Sequence, residues 1–538
     1  MHAPRGLVLD REGELLAINE PSYSLAVVRE EIEELDQTLN QISKWTGKPR
    51  EDIQEKFERG RGMVPSFENQ ILVSNLSYQV LTKVETEAPY WPGVEIVVQP
   101  RRKYPQGEVL SNVLGYVGKA DKRALERDSD LRLGDNVGKQ GLEYVKEKTL
   151  RGNKGLKKQE VDASGRVVRE EVLVQPESGQ DVQLSIDLEL QDHVHSLLQG
   201  EAGAAVVMDA DTGQVLAMVS TPGYDNNKFP VGVSREDWRN LLENPHNPLL
   251  NRSIQNAYPP GSVFKPVMAA LALEEADIDP EEEINCTGRY RLGNRVFRCW
   301  HDHGDVDMHE ALVQSCDTYF YRLGEKLGVD KISDFAVASG LGKQTGISLP
   351  QERSGVIPTR EWKKDRVNEA WRGGDNLNLA IGQGFTQVTP LQMARFAGAV
   401  ANGGYLYQPS LFLDDEKIGP EPLPWKEETK DFIYDAMVGA VEDDSGTARR
   451  LRIPEITVGG KTGTAQVVSL MPGHKEDELE AVDYWLRHHA WMISFAERKD
   501  RRYAVATLVE HGGSGSSAAG PVVKSIYEHL FEQDQAQR

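Results

Sequence analysis

The chain has 538 residues, of which 39% are hydrophobic, and its formal net charge is −22. This length allows roughly two to four domains, each with a core of its own. The acidic balance argues against nucleic acid and against an anionic membrane surface as the main partner. The three cysteines all lie between Cys286 and Cys316, which excludes a disulfide scaffold. The sequence contains no apolar run of transmembrane length, and its first residues do not predict a signal peptide.

The first part of the chain predicts a strand-rich unit. Residues 5–17 alternate around Gly13 and predict a hairpin, and residues 21–28 predict a further strand. Residues 29–60 are charged and carry one apolar stripe at helical spacing, so we expect helices there. The tripeptide Gly47-Lys48-Pro49 predicts a break between them.

A domain boundary is predicted near residue 178. Before it, residues 63–118 predict short strands and a helix, and residues 138–150 predict a helix that opens on a glycine-rich turn. Residues 162–166 predict the turn of a hairpin. Residues 170–182 are polar and contain a proline and a glycine, which is typical of a connection between domains.

The second part of the chain predicts an α+β fold built on an antiparallel sheet. Apolar strands flank Asp211-Thr212-Gly213 and predict a hairpin over residues 203–220. Two further strands are predicted near the end of the chain, at residues 490–496 and 502–510. Strands at both ends of this region, with helices between them, favour a sheet flanked by helices. The predicted helices cover residues 262–276, 308–327, 331–339, 389–401 and 520–531.

One of these helices carries a candidate nucleophile. Pro266 fits only the first turn of a helix, because its ring clashes with the carbonyl four residues back. The helix therefore begins at or near Ser262, where free backbone N–H groups can bind an oxyanion. Lys265 follows on the same face. A hydroxyl, an amine and free donors are typical of a Ser-Lys nucleophilic site, although the spacing S-x-x-K alone is common.

Two further motifs support this interpretation. Residues 459–465 form a glycine-rich strand around Lys461-Thr462-Gly463; it is not a phosphate-binding loop, because position 455 is Glu455 rather than glycine. Ser315 and Asp317 stand at the start of another helix. The order S-x-x-K, S-D-N, K-T-G characterises penicillin-binding proteins and class A β-lactamases. The aspartate at 317 replaces the asparagine of the second motif.

The chain resembles the class B penicillin-binding proteins, in particular the elongation-type penicillin-binding protein 2. The resemblance implies a pedestal or dimerisation-type domain at residues 1–178, with a head subdomain inserted at about 29–100, and a transpeptidase domain at 179–538. The family has an N-terminal membrane helix, so we expect an anchor outside this chain and a location at the periplasmic face of the inner membrane. The segments that carry the resemblance are residues 5–13, 138–143, 161–167, 258–265, 315–320, 359–362, 382–384 and 461–465.

This resemblance implies D,D-transpeptidation of peptidoglycan. Ser262 would attack the D-Ala-D-Ala carbonyl of one stem peptide, D-Ala would leave, and an amine of a neighbouring stem would take the acyl group. Lys265 would be the base; because the ordinary pKa of a lysine is about 10.4, desolvation and the charge of Lys461 would have to lower it. The backbone N–H groups of Ser262 and Thr464 would form the oxyanion hole.

The resemblance also assigns the remaining site residues. Ser315 would relay a proton between Lys265 and the leaving or attacking amine, and Asp317 would hold the second motif by accepting hydrogen bonds. The strand would bind the terminal carboxylate and flank the substrate. β-Lactams would acylate the same serine and inhibit the enzyme. The residues expected on that strand are Lys461, Thr462, Gly463 and Thr464.

Three other interpretations remain open at this point. A D,D-carboxypeptidase shares the motifs but uses water as the acceptor, and a β-lactamase would need a residue that activates water, which we do not identify. A structural scaffold of the elongation complex would use residues 1–178 as its working part. The same residues are expected to dock a SEDS-type membrane glycosyltransferase and the scaffold of the elongation complex. The acidic and aromatic segment 466–489 is either a solvated loop or a lid.

The cysteines form a candidate zinc site. Cys286, Cys299, His303 and Cys316 are spaced C-x12-C-x3-H-x12-C, and three thiolates with one imidazole suit a closed tetrahedral zinc. His301 is an alternative ligand, but His303 better matches the penicillin-binding protein 2 pattern, in which some members carry zinc. Buried free thiols or a disulfide are the other interpretations.

Overall fold

The computed structural model describes residues 3–62, 64–132, 134–161, 167–275, 278–415, 418–467 and 483–536. Within these residues the chain folds around two five-stranded sheets, one in each part of the chain. The predicted hairpin turn at residues 162–166 lies outside the described residues, and so does most of the segment 466–489.

The N-terminal part combines the first sheet with short helices. Strands β3, β2, β1 and β9 lie side by side, and β4 pairs with β2. The strands are β1 (Val8–Leu9), β2 (Leu15–Val27), β3 (Gln70–Val73), β4 (Val94–Lys103), β5 (Tyr116–Lys119), β6 (Asn136–Gln140), β7 (Leu156–Val161), β8 (Val167–Val174) and β9 (Val182–Gln183). The helices are α1 (Leu35–Thr46), α2 (Arg50–Gly60), α3 (Tyr78–Glu87), α4 (Ser111–Leu114), α5 (Lys122–Arg127), α6 (Gly141–Val145) and α7 (Glu147–Arg151).

Most predictions for the first hundred residues hold. The hairpin at residues 5–17 is confirmed, since β1 and β2 pair antiparallel. The strand predicted at 21–28 is the second half of β2, which stays paired with β4 over its length. Helices α1 and α2 confirm the helical prediction, and the left-handed Gly47 ends α1 with a φ of +67°. These helices and the sheet share a separate core that extends from Leu25 to Val94.

The helix predicted from residue 138 begins later than expected. Residues 136–140 form β6, which pairs with β5, and α6 begins only at Gly141. At Gly138 a β-carbon would lie 1.8 Å from the carbonyl oxygen of Glu143, so strand and helix touch backbone to backbone. The glycine that the sequence analysis took as a helix start therefore serves a close contact.

A buried cluster of charges joins the first residues to β4 and α6. The carboxylate of Glu143 is fully buried and pairs with the Nε atoms of Arg5 and Arg102, each at 2.6 Å. Burial would raise the pKa of Glu143, but the charges of Arg5 and Arg102 outweigh it and lower that pKa. The cluster thus holds the residues before β1 against β4 and α6.

The C-terminal part is an antiparallel sheet with helices on both faces. Its strands are β10 (Gly203–Asp209), β11 (Val215–Thr221), β12 (Ile284–Cys286), β13 (Arg289–Leu292), β14 (Arg295–Arg298), β15 (Gly304–Val306), β16 (Tyr405–Leu406), β17 (Glu421–Pro422), β18 (Thr457–Ala465), β19 (His489–Arg498) and β20 (Arg501–Val509). Its helices are α8 (Leu188–Leu197), α9 (Arg235–Glu243), α10 (Lys265–Glu274), α11 (Met308–Val313), α12 (Asp317–Ala338), α13 (Arg360–Val367), α14 (Gly373–Ala380), α15 (Pro390–Ala401), α16 (Glu427–Glu442) and α17 (Gly520–Ala536).

The order of the main sheet explains where the site lies. The strands run β11-β10-β20-β19-β18, and each pair of neighbours is antiparallel. Helices α8 and α17 pack on one face and α15 on the other, each over a core of its own. The predicted α+β fold with a helix-flanked antiparallel sheet is confirmed. Strand β18, which carries the third motif, lies at the edge of the sheet.

The helix predicted at residues 308–327 is broken at the second motif. Helix α11 ends at Val313 and α12 begins at Asp317, because Ser315 between them has a φ of +59° and cannot continue a helix. The predicted end at residue 327 and the further helix predicted at 331–339 are confirmed, because Gly328 within α12 has a non-helical φ of +75° that divides the helix there. The helix predicted at 389–401 is confirmed as α15.

One apolar cluster extends across both parts of the chain. Strand β1 pairs in parallel with β9, so that Val8 lies opposite Val182. Leu16 and Leu142 of the N-terminal part belong to the same apolar cluster as α10 and α15. Among the described helices, none has the length and apolar character needed to cross a bilayer.

Candidate active site

The candidate nucleophile lies on a tight turn that leads into α10. Residues Gly261–Phe264 form one turn of 3₁₀ helix and α10 follows directly, with Pro266 in its first turn. The predicted helix start near Ser262 is therefore confirmed, in the tighter 3₁₀ form. Gly261 has a φ of +58°, and a β-carbon there would lie 2.6 Å from the carbonyl oxygen of Thr464. Glycine at this position lets the turn approach β18.

Hydrogen bonds to backbone carbonyls connect this turn, the segment at Gly382 and Gln383, and strands β18 and β19. The N–H of Gly261 donates to the carbonyl of Gly382 at 2.9 Å, and the indole N–H of Trp491 donates to the carbonyl of Pro259 at 3.0 Å. The side-chain amide of Gln383 donates to the carbonyl of Thr464 at 3.0 Å. The turn and β18 are thus fixed relative to each other.

The three predicted motifs meet around the hydroxyl of Ser315. The ammonium of Lys265 lies 3.2 Å from this hydroxyl and that of Lys461 lies 2.8 Å from it. Lys265 also donates to a carboxylate oxygen of Asp317 at 2.7 Å. Both lysines are buried. The structure therefore brings the first motif together with residues that are 50 to 196 positions away in the sequence (265 to 315 and 265 to 461).

Two neighbouring lysines are expected to lower the pKa of one of them, and this lowering is found at Lys461 in the third motif. Burial, and after it the charge of Lys265, lowers the pKa of Lys461 well below its ordinary value. Lys265 itself has Asp317 as an ion partner at 2.7 Å. The role of Lys265 as base stays a prediction.

Ser315 is held in its left-handed conformation by contacts to its backbone. Its carbonyl accepts from the ammonium of Lys265 at 2.8 Å and from the indole N–H of Trp300 at 3.0 Å. The next residue, Cys316, donates its N–H to the carbonyl of Ala311 at 2.9 Å. A residue in this sparsely populated backbone region persists only when its surroundings determine it. These contacts determine the direction of the Ser315 hydroxyl.

Two contributors to the site were missed by the sequence analysis. One is Trp300, whose only sequence signal is its place between Cys299 and His301. The other is Thr447, whose hydroxyl lies 3.0 Å from that of Thr462 on β18. Neither belongs to a motif.

The predicted zinc ligands form one cluster behind Ser315. The sulfur atoms of Cys286, Cys299 and Cys316 and Nδ1 of His303 all lie within 4.8 Å of one another. Nδ1 of His303 is 3.5 Å from the sulfur atoms of Cys286 and of Cys299. A tetrahedral zinc with Zn–S of about 2.3 Å and Zn–N of about 2.0 Å places sulfur and nitrogen about 3.5 Å apart. The donor set and its spacing fit zinc, and the three thiols are free. The cluster contains His303 and not His301.

Backbone and hydroxyl groups surround this cluster. The N–H of Asp317 donates to the sulfur of Cys299 at 3.2 Å, and the hydroxyl of Thr318 lies 3.2 Å from the sulfur of Cys286. Such contacts orient metal ligands from outside. Because Cys316 stands between Ser315 and Asp317, the cluster is attached directly to the second motif.

Comparison with known proteins agrees with this site. A family model described as penicillin binding protein transpeptidase domain matches residues 203–528, and one described as penicillin-binding protein dimerisation domain matches residues 1–184. The peptidoglycan D,D-transpeptidase MrdA of Haemophilus influenzae is 34% identical over 98% of this chain and 84% of its own length. The domain boundary at residue 178 stays a prediction.

Solved structures give the same result. PBP2 of Helicobacter pylori, in a complex with MreC, is 31% identical, covers 99% of this chain and 98% of its own, and has a TM-score of 0.88. A chain from a structure described as structural coordination of polymerization and crosslinking by a peptidoglycan synthase complex is 29% identical over 98% and 89% of the two chains, with a TM-score of 0.75. The chain therefore belongs to the class B penicillin-binding proteins of the elongation-type PBP2 group.

Proposed function

We propose that this protein is a peptidoglycan D,D-transpeptidase that crosslinks stem peptides during cell-wall elongation and is inhibited by β-lactams. The observation that carries the proposal is the hydroxyl of Ser315 within hydrogen-bond distance of both Lys265 and Lys461. These groups lie beside the turn of Ser262, at the edge strand β18. Family membership supports the same function.

In the first step Ser262 becomes acylated. Its Oγ attacks the carbonyl carbon of the penultimate D-Ala, the C–N bond to the terminal D-Ala breaks, and the hydroxyl proton passes to a base. Lys265 takes this role, and Ser315 passes the proton on to the leaving amine. The N–H groups of Ser262 and Thr464 stabilise the oxyanion; loss of one such donor costs about a hundredfold or more in rate.

In the second step an amine from a neighbouring stem attacks the acyl-serine. The ester bond to Oγ of Ser262 breaks as the new amide forms. The proton of the amine passes through Ser315 and Lys265 back to Oγ of Ser262. The ammonium of Lys461 and the hydroxyls of Thr462 and Thr464 bind the carboxylate of the donor peptide. An open edge on β18 allows the substrate to lie alongside it as an extra strand.

We also propose that Cys286, Cys299, His303 and Cys316 hold one structural zinc. The donor set and the 3.5 Å sulfur–nitrogen distances support this assignment. A zinc bound here supplies folding free energy rather than chemistry at the substrate. The chain's own part is positional, because Cys316 fixes Ser315 and Asp317 on either side of it.

A crosslinking assay with radiolabelled donor and acceptor strands tests the proposed reaction. We expect crosslinked dimers, because the motifs and the fold are those of a transpeptidase. Trimmed stem peptides alone would identify a D,D-carboxypeptidase instead. Neither product, with an active partner polymerase present, would favour a structural scaffold. Rapid hydrolysis of penicillin by the same sample would point to a β-lactamase.

The N-terminal part is proposed as the docking unit for a SEDS-type membrane glycosyltransferase and the scaffold of the elongation complex, at the periplasmic face of the inner membrane. Its separate core from Leu25 to Val94 and the similarity to PBP2 in complex with MreC support this role. Surface substitutions in this part that leave penicillin binding intact should reduce glycan polymerisation by the partner. If a surface-wide set of such substitutions leaves polymerisation unchanged, the docking proposal is wrong.

A further inference from the structure

The carboxylate of Glu510 lies just after the end of β20, where it accepts hydrogen bonds from two side chains. Tyr258 donates its phenol O–H to Oε1 of Glu510 at 2.6 Å. Arg252 places Nε 3.1 Å from the same oxygen and donates from Nη2 to Oε2 at 3.2 Å. Tyr258 and Arg252 are buried, and the side chain of Glu510 is 13% exposed. None of the three belongs to the catalytic motifs.

This triad connects the nucleophile turn to the main sheet. Tyr258 stands four residues before Ser262, and its backbone pairs in both directions with Val388 at 2.9 Å. Glu510 directly follows Val509, the last residue of β20. A phenol that donates to an ionised carboxylate makes one of the stronger hydrogen bonds found in proteins. The contact therefore joins two segments that are 252 positions apart in the sequence.

The cross-strand row at Val509, the residue before Glu510, also contains the second proposed oxyanion donor, Thr464. Val509 pairs with Ala490 on β19, and Ala490 pairs with Thr464 on β18. Neighbouring strands are about 4.8 Å apart, so the position of Thr464 relative to Val509 is set by two strand spacings. Ser262 and Thr464 come from different elements, and their separation depends on links between the turn and this row.

We infer that Glu510, through Tyr258 and Arg252, is a positioning residue that acts together with the hydrogen bonds around Gly261 to set the distance between the Ser262 turn and Thr464, and thereby the geometry of the oxyanion hole. The inference rests on the proposed acylation of Ser262. The contact touches neither substrate nor reacting atoms. It therefore acts on the rate of acylation from the bound state, and it leaves the affinity for the ligand unchanged.

The test compares two buried tyrosines that each lose one hydroxyl. Tyr258→Phe removes the bond to Glu510. Tyr527→Phe is the matched control, because its hydroxyl lies 2.6 Å from that of Ser494 in the core on the α17 face of the same sheet. Acylation by a fluorescent penicillin is followed by stopped flow over a range of concentrations. This measurement separates the acylation rate at saturation from the dissociation constant of the non-covalent complex.

We expect Tyr258→Phe to reduce the saturating acylation rate about tenfold, which is less than the roughly hundredfold loss that a misplacement of about 1 Å can cause. The dissociation constant should stay within about twofold, and Tyr527→Phe should acylate at the wild-type rate. Glu510→Gln is the second variant, and we expect it to act in the same direction. The double variant should be no slower than the slower single variant, because both changes break one link.

Several results would overturn the inference. One is wild-type acylation in both Tyr258→Phe and Glu510→Gln. Another is an equal loss of acylation rate in Tyr527→Phe when the two tyrosine variants have the same thermal stability. That result would attribute the effect to lost stability rather than to the link at Glu510. Additive losses in the double variant would separate the two residues. A wild-type protein that penicillin fails to acylate at Ser262 would instead contradict the proposed function.

Discussion

Replacing Ser262 with alanine is expected to abolish the covalent adduct that penicillin forms with this protein. The wild-type chain should gain the mass of one penicillin molecule, stable over the time of the measurement, whereas Ser262→Ala should gain none. The reason is that the acyl bond forms to the hydroxyl oxygen itself, and removal of a serine nucleophile costs about 10⁶-fold in rate. Intact-mass spectrometry, followed by peptide mapping, measures both outcomes.

The matched control for this prediction is Ser333→Ala. Ser333 is buried on α12, 16 positions after Asp317, and its hydroxyl donates to the carbonyl of Pro358 at 2.7 Å. This variant should keep the adduct. An adduct that persists in Ser262→Ala, or that maps to another residue, would contradict the assignment. A wild-type adduct that disappears within minutes would favour β-lactamase turnover.

Replacing Cys316 with serine is expected to release the proposed zinc and with it much of the stability of the C-terminal part. Elemental analysis of protein purified without chelator should find about one zinc per chain in the wild type and none in the variant. Structural zinc contributes on the order of 10 kcal/mol or more, which is comparable with the whole stability of a domain. Thermal unfolding should therefore shift strongly, and acylation should slow because Ser315 and Asp317 flank the lost ligand.

The two histidines near this cluster provide the control. His303 contributes Nδ1 to the cluster, whereas His301 stands outside it. We expect His303→Ala to lose the metal and His301→Ala to retain it, with wild-type thermal stability. Metal-free protein with full acylation activity would contradict the proposal. So would a disulfide between Cys286 and Cys299 in the peptide map.

The sequence predicted where the candidate catalytic groups lie because the proposed chemistry restricts residue type and local conformation together. Pro266 fixed the start of α10 and hence the place of Ser262, since a proline fits few helix positions. The order of the three motifs then predicted that Lys265, Ser315 and Lys461 would meet, and the structure brings them together. These predictions needed only short stretches of sequence.

The features that the sequence did not reveal depend on contacts between remote segments. The left-handed Ser315 interrupts a helical pattern that runs smoothly from residue 308 to 327, because periodicity carries no information about one backbone angle. Trp300 and Glu510 have no motif, and only the fold brings them to Ser315 and Tyr258. The glycine at 138 was misinterpreted because close packing and a helix start favour the same residue type.

The parallel pair of β1 and β9 fixes the start of the chain against the part that carries the candidate active site. Residues 10–181 connect these two strands, so both ends of this long segment lie next to each other on adjacent strands. The distance between residue 7 and the first helix of the C-terminal part therefore depends on the two-residue pairing of β1 with β9, and not on the length of the segment between them. Insertions or deletions in the head would alter what the head touches. They would leave the distance between residue 7 and the candidate active site unchanged.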